Sequence, residues 1–249
     1  MTDAAVQRGF EAARVLKHAM TIFRRDAFKI LLFSALFVAL PDLGMDALTR
    51  VFSRPETGYA APNTWIMILV SLLVSMLGSV TLQAAISRSA LSRLESPHTA
   101  GAAPFGGARD YLTLLALGVV TSLGILGGFV LLVIPGVILS LAWMVVVPAM
   151  VTERLGVWDT IRRSNRLTGE RRGAIFGLSL AVGVVWFVFA WLIQLAASAV
   201  GNPVVDAIAE PMMQALLSIV NALLAVSIYY ELRWSKEGTP TDRLVEVFA

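Results

Sequence analysis

Of 249 residues, 57% are hydrophobic and only 15% are charged; there is no cysteine, and the net charge is +3. This composition leaves no room for a sizeable water-soluble domain and excludes disulfides, thiolate metal sites and a cysteine nucleophile. The expectation is an all-α fold, a polytopic membrane bundle of six transmembrane helices with amphipathic interfacial helices at its cytoplasmic side.

Residues 1–27 read as an N-terminal amphipathic helix. Val6, Phe10, Ala13, Val15, Leu16, Met20 and Phe23 recur at helical spacing, with Arg8, Glu11, Arg14, Lys17 and Arg24 mostly between them. Such a helix suits an anionic membrane surface or the flank of its own bundle. The first 29 residues are polar and basic and carry no small-residue cleavage site, so the first span is expected to stay in the mature protein.

The transmembrane domain is expected over 28–234, with a polar tail over 235–249. The first span, about 28–48, contains Pro41, which bends it or ends its most apolar part. Asp42 and Asp46 follow at helical spacing and are read as lying at the far interface, beside Arg50 and Arg54. Residues 51–63 are an external loop. The second span, 64–90, carries Trp65 at its outer edge, and its inner half is rich in small residues that let helices approach closely. Gln83 is a candidate interhelical contact. His98, in the following Gly/Ala/Pro loop, has no metal ligands at useful spacing.

No charged residue occurs between Asp110 and Glu153, enough for two crossings of about 20 residues each. The third and fourth spans, 111–134 and 136–152, form a hairpin. Pro135-Gly136 is read as its turn; alternatively Gly127-Gly128 turns the chain and Pro135 kinks the fourth helix. Pro148 is a second kink candidate. Val157 to Thr168 then reads as an interfacial helix, with Trp158, Ile161 and Leu167 alternating with Arg162, Arg163 and Arg166, and Gly169 ending it. The fifth span, 173–200, has Gln194 as its one strongly polar interior residue. A link, 201–211, leads to the sixth span, 212–232, with Asn221 near its centre. Gln194 and Asn221 are both expected to find interhelical partners, because an unpaired amide in lipid is costly.

Eighteen of the 20 lysines and arginines fall in the N-terminal segment, the two loops on its side and the tail; only Arg50 and Arg54 fall on the other side. Both termini are therefore expected in the cytoplasm. Arg24-Arg25-Asp26, Arg109-Asp110-Tyr111 and Arg171-Arg172-Gly173 each precede an odd-numbered span, a weak sign of three helix-plus-hairpin units set against the general basicity of such boundaries.

An ordered set of motifs runs through the chain. Ile134-Pro135-Gly136 is followed by Pro148, Glu153, the run from Arg163 through Ser164, Asn165, Arg166, Leu167 and Thr168 to Gly169, then Tyr230-Glu231-Leu232-Arg233 and Lys236-Glu237-Gly238. This set resembles the bacterial membrane domain named for its attachment to glycerophosphoryl diester phosphodiesterase, a group similar to the YciC-like inner-membrane proteins. The resemblance implies a six-helix protein of the bacterial inner membrane. It does not bring the phosphodiesterase chemistry, which needs a separate soluble barrel with acidic metal ligands and catalytic histidines.

No metal-binding histidine pair, nucleophile motif or phosphate-cradling glycine loop is present. The expected function is non-enzymatic, without cofactor or metal. In this reading the protein organises lipid or partner proteins, with Arg162, Arg163, Arg166, Arg171 and Arg172 binding anionic headgroups. Membrane lipids, a second copy or a membrane-protein partner are the expected contacts; nucleic acid is not, since topology accounts for the basic residues. The alternative is a transporter or channel component for a small or lipid-like substrate. Its support is the bent helices at Pro41, Pro135 and Pro148 and the amides Gln83, Gln194 and Asn221.

Overall fold

The structure, a computed structural model, describes residues 10–52, 63–94 and 108–237. The N-terminal nine residues, most of the 51–63 loop, the loop holding His98 and the polar tail from 238 on lie outside the described residues; the first three tail residues extend the last helix. Every described element is helical: α1 (Ala12–Ser34) and, after a π-helical segment (Ala35–Ala39), α2 (Leu40–Phe52); α3 (Asn63–Leu94), α4 (Ala108–Leu131), α5 (Val133–Ala142), α6 (Val146–Glu153), α7 (Val157–Thr168), α8 (Arg172–Val200) and α9 (Pro203–Glu237). Among the described residues, six stretches are long and apolar enough to cross a membrane: Ala12–Leu48, Leu69–Ala90, Arg109–Leu131, Val133–Glu153, Arg172–Val200 and Ala207–Lys236.

The amphipathic N-terminus and the first span are one rod with two irregularities. Asp26 leaves helical geometry (φ −117°, ψ 21°), where the amphipathic stretch gives way to the apolar one. Val15, in the amphipathic half, is fully buried against Ile228, Tyr229 and Leu232, while Leu16 and Met20 remain exposed; this helix thus packs on its own bundle with one edge and leaves the other open. The second irregularity follows from Pro41. Its ring and missing N–H cannot fit a regular turn below Phe37, and the chain widens to π geometry over Ala35–Ala39. The Phe37 carbonyl, deprived of the Pro41 N–H, faces Gly78 of α3 so closely that a Cβ at Gly78 would run into it. A glycine is required there for the two spans to approach.

The hairpin reverses at neither expected position. Leu132 is the extended turn residue (φ −168°, ψ 151°), and Pro135 falls in the first turn of α5, where a missing N–H costs nothing. Gly136 and Gly128 pack across the hairpin: a Cβ on Gly128 would stand 3.0 Å from the Gly136 Cα, and one on Gly124 would enter the Trp143 ring. These glycines serve close approach, and Gly127-Gly128 is not the turn. The fourth span is broken rather than kinked at Pro148. Residues Trp143–Val145 form a turn, and Pro148 again occupies the first turn of the helix that follows. The expected link after α8 is also absorbed into helix. Gly201 turns the chain in the left-handed region (φ 64°), Asn202 Oδ1 accepts the Val204 N–H at 2.9 Å, and Pro203 opens α9, which continues through Pro211.

The bundle is built around α9. One cluster joins it to α1 and α3 through Ile30, Leu82, Ile86, Ile219 and Val226; a second joins it to α6, α7 and α8 through Ala149, Leu167, Ile175 and Ile228. A third cluster, of Ala84, Leu114, Leu117, Val147 and Met150, holds α3, α4 and α6 together.

Candidate functional site

Polar chemistry concentrates at the end of the bundle where α6, α7, α9 and the start of α1 meet. The break after Ala142 makes this possible. Val146 N bonds the Trp143 carbonyl at 3.2 Å, so the Ala142 carbonyl is left without its helical partner. Ser164 Oγ on α7 donates to it at 2.7 Å, and Thr168 Oγ1 at 3.4 Å. Thr160, Ser164 and Thr168 recur every four residues and, with Leu167, are fully buried. They form the inward face by which α7 docks on the broken span, since a buried carbonyl must be paired.

An ion pair fastens the same helix. Arg163 Nε lies 2.9 Å from both carboxylate oxygens of Glu153, and its Nη2 lies 2.9 Å from Oε1. This is a multidentate guanidinium–carboxylate contact with both side chains about one-fifth exposed. Tyr229 of α9, fully buried, donates its hydroxyl to Glu153 Oε1 at 3.0 Å. Glu153 thereby ties α6, α7 and α9 together. At the other end of α7, Lys236 Nζ donates to the Arg166 carbonyl at 2.9 Å and pairs with Glu170 at 3.4 Å, a cation at a helix C-terminus. The N-terminal rod joins this end too. Glu231, 1% exposed, accepts the Glu11 N–H at 3.3 Å, Arg14 Nε lies 3.5 Å from it, and the Arg14 guanidinium sits 5.9 Å from the Trp234 ring centre.

The five arginines expected to act together are therefore divided. Arg163 is engaged inward by Glu153. Arg172 donates to the Asn165 side-chain oxygen, and Arg171 is half-buried. Arg162 and Arg166 are exposed on the outer face with Trp158, which is 69% exposed; Asp159 is 3.9 Å from Arg162, a contact too long and too solvated to hold it. The periodicity of α7 signalled two faces but not that its inward one is hydroxylic. Runs of Ser and Thr at four-residue spacing were the available signal, and Glu153 ten residues before Arg163 gave none.

The expected amide contacts are not where the helices meet. Gln194 and Asn221 are exposed on the outer surface of α8 and α9, and Gln83 is half-buried without an amide partner among the described residues. Hydroxyls bridge the helices instead. Ser34 Oγ donates to the Ala215 carbonyl at 2.9 Å, Ser75 donates to Asp42, and the Thr81 and Tyr111 hydroxyls lie 3.3 Å apart. Short hydroxyl side chains reach a neighbouring backbone where helices are close enough to exclude a long amide. Asp42 is thus tied to α3, and Asp46 is half-buried beside it. Among the described residues, no group of three or more His, Asp or Glu could hold a metal ion.

Comparison with known proteins places over half of the chain in a family. Residues 99–232 match the domain of unknown function DUF7847, and the chain belongs to that family. No curated protein and no solved structure matches it. The matched segment runs through α4 to α9 and holds Glu153, Arg163, Ser164 and Tyr229.

Proposed function

We propose that this DUF7847 member is a non-enzymatic protein of the bacterial inner membrane, with both termini cytoplasmic, that organises anionic lipid or a partner protein at the cytoplasmic surface. The observation that carries this reading is the two-sided attachment of α7. One side is locked to the bundle by Ser164, Thr168 and the Glu153–Arg163 pair. The other presents Arg162, Arg166 and Trp158 outward at the end of a lipid-exposed bundle. A cationic helix with an interfacial tryptophan, fixed at a membrane boundary, is suited to anionic headgroups. Rigid attachment makes that surface part of the protein rather than a tethered arm. The basic residues clustered at this end support the cytoplasmic assignment.

Gln194 and Asn221 support a protein partner or a second copy, because exposed amides in membrane spans are satisfied by another helix. The transport reading draws on the break in the fourth span. Its freed carbonyl is occupied by Ser164 and Val145 beside it is fully buried, so the unwound segment serves to dock α7. Native mass spectrometry of the full chain released from mixed-lipid nanodiscs tests the proposal. Retention of anionic lipid, or of a defined second protein, is the expected result. A bare monomer that instead drives substrate uptake in vesicles would overturn it.

A further inference from the structure

A separate polar cavity of about 240 Å³ opens where the last turns of α3, the first turns of α4 and the end of α6 converge. Among the described residues its polar wall carries Arg88, Arg109 and Arg154, with Thr113 and one carboxylate, Asp110. Arg88, near the end of α3, is half-buried at the back of the cavity. Among the described residues, three guanidiniums against one carboxylate leave an excess of positive charge around an open-mouthed cavity, at whose rim Arg109, Asp110 and Arg154 are exposed. The opposite wall is apolar, formed by Ala84, Leu114 and Met150, all buried members of the cluster that joins α3, α4 and α6.

The backbone at Arg154 adds an independent observation. Arg154 ends α6 in the left-handed region (φ 50°, ψ 40°), with its N–H bonded to the Met150 carbonyl at 2.8 Å. Among the described non-glycine residues it alone has positive φ. Glycine would occupy this conformation without strain. As the left-handed cap of α6, Arg154 carries to the cavity wall a guanidinium that a glycine in the same place would lack.

We propose that this cavity binds a phosphate group, with Arg109 and Arg154 as its principal donors and Arg88 as the half-buried charge behind them. Guanidiniums suit phosphate because they donate in a planar fork. An apolar wall beneath a cationic rim matches a phospholipid, whose phosphate is joined to a glycerol and acyl chains. The same rim chemistry would hold a free phosphate. The proposal rests on the membrane reading above but not on the outward face of α7.

The test uses full-length protein, delipidated in a nonionic detergent, with phosphatidylglycerol and inorganic phosphate as probes and native mass spectrometry as the readout. One tightly retained phosphatidylglycerol is expected, weakened roughly tenfold or more by Arg109→Gln or Arg154→Gly, as for loss of a charge-assisted hydrogen bond. Arg154→Gly relieves the backbone strain, so its thermal midpoint is expected to hold or rise while binding falls. This separates a binding defect from a folding one. Thr113→Phe keeps every charge, fills the cavity, and is expected to weaken binding as well. Displacement of the lipid by inorganic phosphate would assign the site to a free anion, with the same residues. Absence of both ligands, or binding indifferent to all three variants, would overturn the proposal. Loss of that lipid in Arg162→Gln/Arg166→Gln alone would also overturn it, while leaving the proposed role of α7 standing.

Discussion

Two neighbouring spans, α8 and α9, have comparable apolar character and opposite roles. Their most apolar windows have mean hydropathies of 2.3 and 1.8, yet 61% of the α9 window is buried inside the protein against 11% of that of α8. The difference lies in position: α9 packs against α1, α3, α6, α7 and α8, whereas α8 meets chiefly α5 and α9. α9 packs through Ala215, Ala222 and Ala225 with the small hydroxyls Ser218 and Ser227, all buried. α8 carries Phe187, Phe189, Trp191 and Leu192 on an exposed surface and buries only Ile175, Leu178 and Ala197. Hydropathy identifies a crossing because lipid and protein interior are equally apolar; for the same reason it does not say which crossing becomes the axis.

That contrast sets the order of expected mutational effects, which thermal unfolding in a fixed detergent measures throughout. The largest belongs to Gly78→Ala, where the new Cβ meets the Phe37 backbone and no side chain can move aside; a loss of about 3 kcal/mol or more is expected. Ala222→Leu on α9 should cost about 1–3 kcal/mol by overpacking. Ser164→Ala leaves the Ala142 carbonyl with only the longer Thr168 contact, and Tyr229→Phe removes a donor from Glu153; each should cost about 1–2 kcal/mol. Val185→Leu on α8, at a position 70% exposed, should stay within about 0.5 kcal/mol of the parent. A large effect at Val185 with a small one at Ala222 would reverse the assignment of axis and periphery.

The same physics explains which features could be read from the chain. The six apolar stretches were legible because each is long and nearly free of charge. The change of character near Asp26 was legible as the end of an amphipathic pattern. The Leu132 turn was not. It sits in an unbroken apolar run, Phe129 to Ile134, with no turn residue of its own, and Pro135 and Gly136 mark the start of the next helix rather than the reversal. Both prolines of the fourth span behave this way, standing just after a break they do not themselves occupy. The restart at Asn202-Pro203 carried a cap signal, obscured by Pro211 farther on. Gln194 and Asn221 looked like interhelical groups because amides are costly in lipid, but nothing local fixes the direction in which a residue of α8 or α9 faces. Glu153 and Tyr229 meet across 76 positions, and no local pattern encodes a contact of that range.

Within α7 the contrast is sharpest, since Arg163 and Arg162 are adjacent and differ in what they do. The most direct measurement is a crossed comparison of Arg163→Gln with Arg162→Gln/Arg166→Gln in mixed-lipid nanodiscs, reading both the thermal midpoint and the anionic fraction of retained lipid. Arg163→Gln is expected to lower the midpoint and leave the lipid preference intact. The double variant is expected to lose the preference beyond the one lipid assigned to the α3–α4–α6 cavity and to keep the midpoint. If the double variant retains as much anionic lipid as the parent, beyond the one cavity-bound molecule, the outward face of α7 is not a headgroup surface, and the lipid-organising reading fails with it.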